Sequence, residues 1–189
     1  MMVNDEKLPS KPSHRHLWLV RVLTALLVVA TLVVALIFRD HLEELEQYGY
    51  VAVFLVGLVS NATLILPVPG LAVSSVLGSV FNPWIVGLVA GVGQALGELT
   101  GYMAGYSGQT WVDEHPRYRQ LVMWMQQYGV FTIFLLALLP NPLFDIAGMV
   151  AGVLRVGVWR FLLSCAAGKV IKNVAFALAG YYGIDTLFQ

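Results

Sequence analysis

Four ionisable residues stand inside stretches that are otherwise apolar: Glu98, Asp145, Lys169 and Lys172. Charge in such surroundings is costly, so these four are the first candidates for function. Two acids and two bases can neutralise one another, bind a charged headgroup or relay a proton. They can equally form an ion-pair network that only fixes helix packing, with lysines reaching out to the membrane surface. Other chemistries find little support. The only cysteine, Cys165, forms neither an internal disulfide nor a zinc cluster. His14, His16, His41 and His115 lie in polar stretches, with no second histidine or carboxylate at metal-ligand spacing on a shared helix face. H-E-x-x-H, P-loop and nucleophile-elbow patterns are absent. No metal, cofactor or enzymatic activity is therefore expected. A formal net charge of zero gives no basic field for nucleic acid.

The elements that must carry these charges are membrane elements. Hydrophobic residues make up 58% of the chain and charged ones only 12%, against about a quarter charged in soluble domains. The expected fold class is an all-α, polytopic integral membrane protein. Residues 1–16 read as a polar, disordered tail. Residues 17–38 follow as an apolar run of roughly 33 Å, long enough to cross the hydrocarbon. That run exceeds the apolar core of a signal peptide and ends without a small-x-small site, so it reads as an uncleaved anchor. Residues 39–189 form the main membrane domain. Trp84 to Tyr106 and Val158 to Tyr182 are long enough to cross, whereas Leu71 to Phe81 and Leu143 to Leu154 are too short. Residues 108–127 carry Trp111, Tyr118, Leu121, Val122 and Met125 at helical spacing, which predicts an amphipathic surface helix.

The second half echoes the first. Gln47-Tyr48-Gly49 recurs as Gln127-Tyr128-Gly129, Leu66-Pro67-Val68-Pro69 as Leu139-Pro140-Asn141-Pro142, Trp84 as Trp159, and Ala104-Gly105-Tyr106 as Ala179-Gly180-Tyr181. The repeats cover about 47–108 and 127–183. Each reads as a helix, a break (Pro67, Pro69 and Gly70; Pro140, Asn141 and Pro142), a short helix and one full span. A short helix after a break is most economically half of a re-entrant hairpin, with its irregular backbone buried in protein or lining a cavity. A hairpin adds no crossing and the span adds one, so the second unit would lie inverted relative to the first. Proline-kinked spans without hairpins are the alternative. Basic residues before the first span place the N-terminus in the cytoplasm, and parity puts 108–127, Arg155 and Arg160 there too, with the C-terminus outside.

Two further features bear on packing. Gly93, Gly97, Gly101 and Gly105 fall on every fourth position, a stripe that lets helices approach closely. The partner helix is internal or belongs to another subunit, so a homo-oligomer stays open. Asn61 and Asn141 lie near the breaks and are suited either to meeting a polar substrate or to capping broken helix ends.

The chain resembles the DedA/VTT superfamily, also called SNARE-associated Golgi proteins. The resemblance covers roughly residues 45–183. It rests on the break at 67–70, on Gly97-x-x-x-Gly101-Tyr102-x-x-Gly105, and on Leu139-Pro140-Asn141-Pro142 followed by Ala147-Gly148. It implies paired re-entrant hairpins and movement of phospholipid or polyprenyl-phosphate carriers across a cell (inner) membrane, with membrane lipids as partners. The better-known bacterial pattern has an acid beside the first break and arginines flanking the second. This chain has Ser60, Asn61 and Leu71 at the first, and Ala137 and Leu143 at the second. A phosphate headgroup would have to find Lys169, Lys172 or Arg155 instead. The expected function is a lipid translocase or scramblase, with Glu98, Asp145, Lys169 and Lys172 along the path. The alternatives are a proton- or ion-coupled transporter of a small solute, and a non-transporting scaffold.

Overall fold

The computed structural model describes residues 42–62, 70–108, 116–140 and 143–187. The tail, the anchor at 17–38 and the break residues Pro67, Pro69, Asn141 and Pro142 lie outside the described residues. Within them the fold is all helical: α1 (Leu42–Ala62), α2 (Gly70–Gly78), α3 (Pro83–Gly97), α4 (Leu99–Tyr106), α5 (Pro116–Tyr128), α6 (Val130–Leu138), α7 (Leu143–Val153) and α8 (Val158–Leu187). Among the described residues one helical stretch, Val158–Gly183, is by itself long and apolar enough to cross a membrane.

The sequence predicts an unbroken span from Trp84 to Tyr106, and the structure divides it at Glu98. Asn82 starts this span well. Its Oδ1 accepts bonds from the N–H groups of Trp84 (3.0 Å) and Ile85 (3.4 Å), with Pro83 in the first turn. The interruption follows Gly97, a poor helix former. There the Thr100 hydroxyl bonds back to the Gly97 carbonyl at 2.9 Å, competing with the backbone ladder. Glu98 keeps right-handed helical backbone angles, and Tyr102 N–H still reaches its carbonyl at 3.0 Å. The chain from Pro83 to Tyr106 thus continues through the residue that carries the charge, over roughly 36 Å.

Helix α3 packs on both α1 and α8, α2 packs on α8, α4 on α7, and α6 on α8. The α1–α3 contact has the same construction as α6–α8. A Cβ added at Gly93 would run into the Phe54 carbonyl, and one at Gly168 into the Phe134 carbonyl. Likewise Gly105 presses on Met149 of α7, and Gly180 on Ser75 of α2. Gly93 and Gly168, and Gly105 and Gly180, are matched positions of the two sequence repeats. After α2 the chain returns to the beginning of α1, where Phe81 and Tyr50 stand 5.6 Å apart between ring centroids.

Helix α5 falls inside the predicted surface segment. Tyr118, Leu121 and Met125 are buried, while Arg119, Gln120 and Met123 are exposed. The end of α7 closes with Val156 N–H bonding Ala151 O and Arg155 N–H bonding Gly152 O, both at 3.0 Å. This is a Schellman-type cap, whose left-handed position usually belongs to glycine. Here Arg155 occupies it, at φ 51°. Leu88, Val92, Leu163 and Ile171 on the two long helical runs face outward, as an apolar solvent permits.

Candidate functional site

Two of the four predicted charges meet. Lys169 Nζ lies 2.6 Å from Glu98 Oε1, and each side chain is only 3% exposed. The same ammonium donates to Asn61 Oδ1 at the C-terminal end of α1 and stands 4.9 Å from the centre of the Phe144 ring on α7. One cation therefore ties together α1, α7, α8 and the α3–α4 junction. Asn61 also has a local bond, its Nδ2 donating to Gly57 O at 3.2 Å, so it bonds back onto its own helix and holds the lysine. Asp145 is exposed in the first turn of α7 and Lys172 is half-buried. Both are within electrostatic reach of the pair. Among the described residues, Glu98–Lys169 is the one ion pair.

Beside it lies an uncharged counterpart that hydropathy alone does not reveal. Gln94 and Asn173 exchange two side-chain hydrogen bonds, each 3.0 Å, and Asn173 is fully buried. Ser74 Oγ on α2 donates to Asn173 Oδ1 at 2.7 Å, and Asn173 Nδ2 also reaches Lys169 O at 2.8 Å. Gln94 follows Gly93 as Lys169 follows Gly168, and Asn173 stands at the repeat position of Glu98. The amide pair and the ion pair thus occupy matched positions. The repeat alignment is the signal that finds Gln94 and Asn173. Where Ser74 meets Asn173, the matched place opposite Glu98 is Gly148, whose absent Cβ would lie 3.7 Å from Glu98 Oε2.

The remaining predicted residues take these places. Gly70 opens α2 beside Gln94, Pro140 follows α6 and is exposed, and Pro67, Pro69, Asn141 and Pro142 lie outside the described residues. Within the stripe, Gly93 meets α1, whereas Gly101 and Gly105 meet α7; Gly97 is buried at the end of α3. Among the described residues no cluster of His, Cys, Asp or Glu is suited to a metal ion.

Chemically, the arrangement holds a fixed cation and anion, surrounded by amide and hydroxyl groups, in an otherwise apolar bundle. By helix rise, Glu98 lies roughly 22 Å from Pro83 and Lys169 roughly 16 Å from Val158, away from the ends of both long helical runs.

Known proteins place the chain independently. The chain is 26% identical over 152 residues to the uncharacterized membrane protein YhjE of Bacillus subtilis (strain 168), covering 76% of this chain and 72% of that one. It is 34% identical over 121 residues to the vacuole membrane protein KMS2 of Arabidopsis thaliana, and 35% identical over 104 residues to KMS1. These alignments cover 54% and 43% of this chain but only 28% and 25% of the two plant proteins. No solved structure matches. The VTT domain family matches residues 68–182, a stretch that includes every residue of the ion pair and amide pair: the chain is a membrane protein of the VTT domain family.

Proposed function

We propose that this protein moves a lipid across the bilayer, as a translocase or scramblase of a cell membrane. In this reading α1–α2 and α6–α7 are two re-entrant hairpins of an inverted repeat. They enter from opposite faces and meet at the polar centre. The headgroup travels along that centre while the acyl chains stay in the surrounding lipid. The observation that carries the reading is the Glu98–Lys169 pair, away from the ends of both long helical runs and bonded to Asn61 at the end of the first hairpin's leading helix. A headgroup needs polar partners at that depth, where water supplies none. The matched glycine contacts, Gly93 with Phe54 and Gly168 with Phe134, support two units built alike. Lys169 and Lys172 favour an anionic head, and Asp145 stands at the edge of the centre.

The test is lipid flipping in proteoliposomes. The full chain is reconstituted with fluorescent phosphatidylglycerol, phosphatidylethanolamine or phosphatidylcholine, and a membrane-impermeant quencher reports the outer leaflet. Faster equilibration than in protein-free vesicles, for at least one class, is the expected result. Rates equal to empty vesicles in all three would contradict the proposal. The buried ion pair also suits a proton-coupled carrier of a small solute. Solute uptake driven by an imposed pH gradient, with no lipid flipping, would favour that reading.

A further inference from the structure

A cavity of about 410 Å³ opens at the start of α8, lined by Tyr102, Met103, Tyr106, Arg155, Gly157 and Val158. It is separate from the polar centre. Arg155 is its only charged lining residue, and the guanidinium lies 5.7 Å from the centre of the Tyr106 ring. Tyr102 fixes the loop that presents it, donating from its hydroxyl to Val156 O at 2.6 Å. Arg155 is also the one non-glycine residue with positive φ among those described. A side chain held in a conformation that favours glycine points from the outlier to a function. Trp159, 72% exposed on the adjoining turn, has the aromatic character typical of headgroup depth.

A second cavity of about 410 Å³ lies between Val80–Trp84 and Leu178–Tyr182. Trp84 there matches Trp159 in the repeat, and Val80 and Phe81, around the position that matches Arg155, carry no charge. The two cavities are alike in size, both have aromatic walls, and only one is lined by a cation.

We infer that the Arg155 cavity binds the phosphate ester of an anionic lipid headgroup, and that its repeat-related counterpart does not. A guanidinium suits phosphate because its planar fork donates two parallel hydrogen bonds. Met103 and Val158 provide apolar wall for the start of the acyl chains. The consequence is a one-sided anionic lipid site, on the face of the protein that carries α5. The inference does not require transport, because it concerns binding at equilibrium.

Native mass spectrometry of the full chain, released from detergent with dioleoyl phosphatidylglycerol or dioleoyl phosphatidylcholine, tests it. The wild type retains phosphatidylglycerol preferentially. In Arg155→Gly that preference falls by about tenfold, the weight of one charge-assisted hydrogen bond. The melting temperature of Arg155→Gly stays the same or rises, because glycine suits the backbone there. Arg155→Lys keeps part of the preference. An Arg155→Gly protein that holds phosphatidylglycerol as well as wild type would overturn the site. Occupancy by sn-glycerol 1-phosphate equal to that of the lipid would overturn the assignment to a headgroup.

Discussion

Lys169 is held in an apolar bundle by three neighbours: the Glu98 carboxylate, the Asn61 amide oxygen and the face of the Phe144 ring. Such a pair is expensive to split and cheap to replace whole. Removing one partner leaves an uncompensated buried charge, worth about 3–5 kcal/mol, whereas exchanging both for apolar groups of similar size is often neutral. Lys169→Met is therefore expected to lower stability by about 3 kcal/mol or more, and Glu98→Met with Lys169→Met to restore most of it. Thermal unfolding in detergent measures both. If the protein transports lipid as proposed, the restored double variant still loses flipping, which separates the pair's function from its packing. The four charges were legible in the sequence because hydropathy makes a charge in an apolar run conspicuous. Which acid meets which base was not legible, because Asp145 and Lys172 satisfy the same rule and yet stand outside the pair. Gln94 and Ser74 are inconspicuous because a neutral polar side chain barely alters a hydropathy profile, whereas the repeat alignment matches Asn173 to Glu98.

At the scale of elements, backbone approach decides the packing. Gly93 and Gly168 sit where α3 and α8 press against the carbonyls of Phe54 and Phe134. A side chain at either place must push two helices apart, because a backbone carbonyl cannot rotate away. Overpacking commonly costs 1–3 kcal/mol. Gly168→Val is expected at or above the top of that range, at roughly 3 kcal/mol, and Gly183→Val, whose Cβ meets nothing within 4 Å, near zero. The comparison is a pair of melting curves, and equal losses would count against the close α6–α8 contact. Much of this was readable beforehand. Short apolar runs and the amphipathic spacing of α5 both follow from local rules. The interruption at Glu98 was not readable, since Gly97 and Thr100 each weaken a helix only slightly and neither marks a break by itself. The identity of the helices facing the glycine stripe was equally hidden, because a stripe records closeness but not the partner.

At the scale of the whole molecule, the account depends on each short helix leaving the membrane on the side it entered. Phe81, after α2, already stands beside Tyr50 at the beginning of α1. If both units are re-entrant and inverted, the two ends of the first hairpin share one side of the membrane and those of the second share the other. Single cysteines at Tyr48→Cys, Trp84→Cys, Tyr128→Cys and Trp159→Cys, each in a Cys165→Ala background, probe four exposed positions that match in pairs across the repeats. The measurement is their modification by a membrane-impermeant maleimide, from each side of sealed vesicles of known orientation. Labelling of Tyr48→Cys and Trp84→Cys from the outer side, and of Tyr128→Cys and Trp159→Cys from the cytoplasmic side, is the predicted result. Tyr48→Cys and Trp84→Cys reacting from opposite sides would mean that α2 emerges on the far face, and would contradict the paired hairpins on which a central lipid path depends.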